Sequence, residues 1–242
     1  TVGASSFVGC VKLKTIDISG AKDLGTKVFQ NCTALETVKL CSSATELGTN
    51  MFENCTSLTG VAMKADGTPD FDENGNYKYN FELPSSLVYL ASSAFTGSGL
   101  IAIRIPAKVL ALTNSASNAK TIKATNYNTA SSAFKDCANL ERVEFLGNAV
   151  LIGKSAFENC TSLSEIVAPD ADQNNELTVD GFFKNIKYVG DCAFKNTGVK
   201  KLVLNSLEAT GKEIFMESAV EEVSIAQGMR YLNAKKQETA GW

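Results

Sequence analysis

Apolar and polar positions alternate along this chain in short six-residue segments, each closing on an apolar-polar-apolar triplet. Leu13-Lys-Thr-Ile16-Asp-Ile18 and Leu35-Glu-Thr-Val38-Lys-Leu40 are the first two, and residues 58–63, 100–105, 140–145, 163–168, 199–204 and 220–225 follow. A period of two marks a strand with one buried face, and runs this short cannot make amphipathic helices. The pattern predicts eight strands, much loop and little helix.

A second periodicity links the segments. Phenylalanines stand at Phe7, Phe29, Phe52, Phe95, Phe134, Phe157, Phe194 and Phe215, at intervals of 21–23 residues that widen to 43, 39 and 37. Four positions earlier lie Gly3, Gly25, Gly48, Ala91, Ala130, Gly153, Gly190 and Gly211; three positions later lie Cys10, Cys32, Cys55, Ser98, Cys137, Cys160, Thr197 and Ser218. A repeat of this length cannot bury its own apolar face, so stacked coils with a parallel strand in each are expected, their phenylalanines in one buried column. The small residue before each Phe fits a tight corner or close approach by the adjoining coil.

The run Ile152-Gly-Lys-Ser-Ala156-Phe157-Glu-Asn-Cys160-Thr-Ser-Leu163 closely resembles the BspA-like leucine-rich-repeat family, and residues 26–40 and 132–145 match it nearly as well. The small polar ladder precedes the strand, where commoner leucine-rich repeats carry an Asn or Cys after it. The resemblance implies a right-handed repeat solenoid with a parallel β-sheet. It also implies a surface-exposed or secreted protein of host-associated microbes, with adhesin-like binding of a protein or glycan on a host or neighbouring cell. A structural spacer within a longer surface protein is the alternative. Residues 1–242 are read as a single solenoid of about eight repeats, truncated at both ends.

Three insertions interrupt it, near 64–82, 113–129 and 169–185. The first contains Asp70-Phe-Asp-Glu-Asn-Gly75-Asn-Tyr77-Lys-Tyr79, whose Asn-Gly between alternating aromatics predicts a hairpin. Insertions of this kind project from one face and often carry binding, which makes Phe71, Tyr77, Tyr79, Tyr127, Phe182 and Phe183 candidate partner residues. A competing role for these aromatics is to pin each loop back onto the solenoid. On the strands, Lys39, Arg104, Arg142 and Glu144 are the further candidates.

Composition narrows the chemistry. The chain has no histidine, which removes Ser-His-Asp and Cys-His nucleophile pairs and His-ligated metals. A formal charge of −3 gives no basic stripe for nucleic acid, and no apolar stretch is long enough for a transmembrane helix. No catalytic residue is assigned; Glu141 and Glu144 could serve as a glycosidase pair only within a cleft. No cofactor is expected. Asp70-x-Asp72-x-Asn74-Gly75 resembles half of a calcium loop, but Phe81 stands where the bidentate Glu belongs. Seven cysteines, five of them in the small-polar column, read as free packed thiols. The three Asn-Cys-Thr triplets share one repeat position, so the repeat itself accounts for them.

Overall fold

The computed structural model describes residues 1–113, 128, 131–168, 186–204, 206–225, 231–232 and 238–239. It is a solenoid of parallel strands, with no helix among those residues. Each coil is named below by its phenylalanine.

The column of rings sets the axis. Neighbouring rings from Phe7 through Phe29, Phe52, Phe95, Phe134, Phe157 and Phe194 to Phe215 lie 5.2–5.9 Å apart, with interplanar angles of 3–20°. The six inner rings are fully buried, whereas Phe7 and Phe215, in the outermost coils, are partly exposed. Two left-handed residues flank every ring, at two positions before and two after it. They run from Ser5 and Gly9 to Glu213 and Glu217, with φ between 47° and 70°. Asn, Ser and Gly at many of these sites tolerate that conformation, which explains much of the repeat consensus. The asparagines also bond along the axis: Asn54 Nδ2 donates to Asn31 Oδ1 at 2.9 Å and Asn196 Nδ2 to Asn159 Oδ1 at 3.1 Å.

The cysteine column is a second ladder. The Cys32, Cys55, Cys137 and Cys160 thiols each donate to the Phe carbonyl of the preceding coil, at 2.9–3.1 Å. All seven cysteines are free. The glycine column reflects close approach, as a Cβ on Gly48 would sit 2.1 Å from the Gly25 carbonyl oxygen and one on Gly190 2.4 Å from the Lys154 nitrogen. In the Phe134 coil the second insertion splits this motif. Leu112 keeps its place in the ladder, so the buried Thr113 occupies the site after the strand that Gly153 fills in the next coil. Ala130, assigned to that column by sequence, lies outside the described residues.

Each coil offers two strand positions. The row anticipated from the sequence holds β1 (Thr15–Asp17), β2 (Thr37–Lys39), β5 (Ala102–Ile105), β7 (Arg142–Phe145), β9 (Glu165–Val167), β11 (Lys201–Leu204) and β13 (Glu222–Ile225). It is broken into β1-β2, β5-β7-β9 and β11-β13. A second row, absent from the sequence reading, forms one continuous parallel sheet of six two-residue strands. These are β3 (Glu46–Leu47), β4 (Tyr89–Leu90), β6 (Ala111–Leu112), β8 (Leu151–Ile152), β10 (Tyr188–Val189) and β12 (Ala209–Thr210). Its inward residues join the main core, and its outward Tyr89, Ala111, Leu151, Tyr188 and Ala209 make a separate buried cluster. At the far end β14 (Tyr231–Leu232) pairs antiparallel with β15 (Glu238–Thr239).

The Phe52 coil corrects one strand assignment. Residues 58–63 do not join the first row. Gly60 takes φ 79° and a Cβ there would lie 2.2 Å from the Ala102 carbonyl oxygen; beyond it the chain leaves the coil. Val61 and Met63 instead bridge antiparallel to Tyr79 and Pro69, and Met63 is 39% exposed. The chain re-enters at Phe81-Glu82-Leu83-Pro84, which matches Ile103-Arg104-Ile105-Pro106 one coil on. Phe81 is buried edge-on against Phe52 and Phe95, with centroids 5.4 and 6.0 Å away. The insertion is therefore residues 61–80, and its 20 residues (80 − 61 + 1) equal the excess length of this junction over the 12-residue ones.

Candidate binding surface

The outward face of the first row carries charges paired across coils. Lys14 meets Glu36 at 3.0 Å, Lys39 meets Asp17 at 3.5 Å, and Arg104 meets Glu144 at 3.0 Å. Arg142 meets Glu165 at 2.5 Å and Lys201 meets Glu222 at 3.1 Å. Opposite charges directly across a strand pair are mildly stabilising, and the exposed pairs Lys14–Glu36, Lys39–Asp17 and Lys201–Glu222 contribute at most about 1 kcal/mol each.

The first insertion lies over the middle of this face. Tyr77 Oη donates to Glu141 Oε2 at 2.6 Å, and Tyr79 Oη reaches Glu144 Oε2 at 3.4 Å. The Arg104 guanidinium stacks 4.1 Å from the Tyr79 ring centre. Burial, together with the neighbouring carboxylates Glu141 and Glu144, pushes both phenols above their ordinary range, so they remain donors into the alkaline range. Glu144 is consequently only 8% exposed. Glu141 and Glu144 are thus both engaged by the tyrosines.

Phe71 lies tilted against Tyr77, with ring centres 4.8 Å apart, yet keeps 40% of its surface exposed. The hairpin thereby brings Phe71, Tyr77, Tyr79, Arg104 and Glu144 together. Arg142 lies alongside in its pair with Glu165, while Lys39 sits two coils away. Tyr127, Phe182 and Phe183 fall outside the described residues. Tyr79→Ala is expected to free the hairpin, raising hydrogen exchange of the Ala62 and Lys78 amides roughly tenfold, equivalent to about 1.4 kcal/mol, while the coil amides stay protected. Unchanged exchange at Lys78 would mean the ring does not hold the insertion down.

Asp70, Asp72 and Asn74 build the hairpin. Asp72 Oδ1 accepts the Asn74 and Asn76 amides, both at 2.9 Å, and Asp70 pairs with Lys78 at 2.9 Å. These carboxylates already have internal partners, and among the described residues no acid or cysteine cluster could hold a metal. Nor is any described helix long and apolar enough to cross a membrane.

Over the outer face of β1 and β2, against the returning segment, lies an open groove of about 660 Å³. Thr15, Asp17, Thr37, Lys39, Tyr79 and Glu82 are among its lining residues. Sequence reasoning missed it because residues 58–63 looked like a complete strand. The available signals were Gly60, at the position of Thr37 and Arg142 in other coils, and the repeat-like Phe81-Glu82-Leu83-Pro84.

A coil of 21–23 residues, a phenylalanine column and a parallel strand row define a leucine-rich-repeat solenoid. The chain belongs to the BspA-type leucine-rich-repeat region family, whose model matches six copies across residues 1–69, 67–164 and 173–236. No curated protein matches it. Among solved structures, a leucine-rich repeat protein from Bacteroides ovatus is similar, with TM-score 0.51 and 18% identity over 96% of this chain and 66% of that one. A leucine-rich repeat protein from T. pallidum has TM-score 0.40 and 20% identity over 67% of this chain and 70% of its own. A leucine-rich cell surface protein from Faecalibacterium prausnitzii has TM-score 0.36 and 19% identity over 93% and 69%. The chain spans about two thirds of the length of each. Identities this low speak to the fold alone.

Proposed function

We propose that this chain is a non-enzymatic binding module, working at a cell surface or outside the cell and recognising a protein or glycan partner. The observation that carries the reading is the mounting of the first insertion. Tyr77 and Tyr79 fasten it to a charged sheet, and Phe71 is held outward at its tip. Rigidly seated aromatics over a polar surface are the usual anchors of binding hot spots. The recognition surface is taken to comprise Phe71, Tyr77 and Tyr79 with the adjacent Arg104, Arg142 and Glu144, and Lys39 further along the sheet. Tyr127, Phe182 and Phe183 of the other insertions join the proposal on sequence grounds.

The cross-coil ion pairs favour a second reading. A face whose cations and carboxylates already satisfy one another suits a structural spacer of a longer surface protein. A screen of the intact chain against glycan and matrix-protein arrays, repeated after excising residues 61–80, separates the two. Excision joins Gly60 to Phe81 and restores Leu58-Thr-Gly60-Phe81-Glu-Leu83-Pro84, so the coil should close. Binding that is lost on excision supports the insertion as the site. Binding retained at full affinity moves the site elsewhere, and no binding by the intact chain favours the spacer.

A further inference from the structure

The groove over β1 and β2 offers side chains rather than a free strand edge. The lane between β2 and β5 is held by the returning residues 81–84, and the rings of Phe29, Phe52 and Phe95 keep one-coil spacing through it, at 5.4 and 5.2 Å. The floor is the outward face of two strands in register, with Thr15 beside Thr37 and Asp17 beside Lys39. The two threonine hydroxyls meet at 3.1 Å, which spends one of their protons and leaves the other for a ligand. Tyr79 and Asn80 of the hairpin, with Glu82 and Ser85 of the returning segment, form a wall. The exposed Asn80 side-chain amide is unbonded among the described residues, so its donors and acceptor are all available. Arg104 lies 4.1 Å from the Tyr79 ring centre but does not line the groove, so the groove meets the ring away from the guanidinium.

The balance of these groups points to the kind of ligand. Lys39 pairs with Asp17 at 3.5 Å, and Glu82 interacts with the Arg104 charge, so the ions around the groove are compensated from within. Such a lining gives an incoming anion or cation little net attraction. It also lacks the apolar core of a protein interface, since none of the large apolar side chains exposed among the described residues lines it. It presents instead an aromatic wall beside the neutral hydroxyl and amide groups of Thr15, Thr37, Ser42, Asn80 and Ser85. A sugar matches that pattern, because its ring has an apolar C–H face and a rim of hydroxyls that both donate and accept. The volume of about 660 Å³ falls inside the roughly 300–1,000 Å³ of small-ligand sites.

We propose that this groove binds a short, uncharged oligosaccharide, with one sugar face against Tyr79 and its hydroxyls on Thr15, Thr37 and Asn80. This deepens the binding-module reading, on which it rests, by naming a neutral glycan as the partner. Phe71 has no part in it.

The probes are soluble tri- and tetrasaccharides of glucose, galactose, mannose or N-acetylglucosamine, together with sialylated and sulfated counterparts. Each is titrated into the full chain and followed by backbone amide NMR shifts. At least one neutral probe is expected to bind with Kd below about 1 mM and to shift Thr37, Lys39 and Asn80. Its charged counterparts should bind no tighter. Asn80→Ala alters an exposed, unbonded side chain, and Thr37→Val keeps the branched shape a strand favours. Together they should weaken binding at least tenfold while the amide spectrum stays that of a folded chain. Failure of every neutral probe, shifts confined to residues outside the groove, tighter binding of the charged forms, or undiminished affinity in the double variant would overturn the proposal. Binding to a matrix protein that depends on Phe71 while the oligosaccharides fail would overturn this assignment alone and leave the binding module standing.

Discussion

Replacing Phe52 with alanine should destabilise the protein by about 3–5 kcal/mol, because the ring is fully buried and its surroundings cannot collapse into the space. Phe52 touches Phe29 and Phe95 face to face and Phe81 edge-on, all within 5.2–5.4 Å. Those neighbours are held in register by ladders on either side: Phe29 donates its amide to the Met51 carbonyl, and Phe52 to that of Ala94. Inward movement to fill the cavity would break those bonds. The cost should be greater here than at Phe7, which stacks on one neighbour only and is partly exposed. Equilibrium urea unfolding of the two variants provides the comparison. A loss below about 1 kcal/mol for Phe52→Ala would mean the column is loosely packed, against the close packing expected of a protein interior.

Much of this fold is legible in the chain because a solenoid repeats its constraints. Every coil must supply a ring to the stack, a small residue three positions after it and left-handed corners around the ring. Those demands recur as the columns at Phe157, Cys160 and Asn159. What recurs only in three dimensions is harder to read. The second strand row escaped because its members are two residues long, too short to display a period, and because Tyr89, Ala111 and Leu151 share chemistry only through burial. The hairpin of the first insertion is legible in Asn74-Gly75 between alternating aromatics, but its start is not. Val61-Ala-Met63 and Phe81-Glu-Leu83 both satisfy the strand pattern, and periodicity alone has no means to choose between them. The choice is steric: Gly60 packs against the Ala102 carbonyl where a Cβ would collide, and the larger Phe81 fills the core between two rings. The clamp of Tyr77 and Tyr79 onto Glu141, Glu144 and Arg104 spans more than sixty residues for both hydroxyl contacts, so nothing local announces it.

Alkaline pH should unfold this protein steeply, and the cysteine ladder should be the cause. Burial raises the Cys55 thiol from its ordinary 9.0 to about 12 and Cys137 to about 11, and lifts Cys160 well above its usual range. Each sulfur donates a hydrogen bond to a phenylalanine carbonyl, so ionisation would both desolvate a thiolate and turn a donor into a charge facing a carbonyl oxygen. Because the folded pKa lies above the unfolded one, the stabilisation is fully present below pH 9. It is lost as pH rises toward the folded values, since the unfolded chain releases those protons first. Each thiol contributes a slope of about 1.4 kcal/mol per pH unit in that window, and three together roughly 4 kcal/mol per unit. Tyr77 and Tyr188, also raised by burial, begin to contribute only above their ordinary value of 10.0, so the interval from pH 9 to 10 isolates the thiols. Serine already occupies this column at Ser98 and Ser218, can satisfy its hydroxyl there, as Ser218 does by donating to the Phe215 carbonyl of its own coil, and does not ionise. The triple variant Cys55→Ser, Cys137→Ser, Cys160→Ser should therefore fold, and its urea midpoint should fall distinctly less than that of the parent from pH 9 to 10, the residual fall coming from Cys32 and Cys192, which burial also raises. Parallel curves for parent and variant would place the alkaline sensitivity in other groups and remove the thiols from the account.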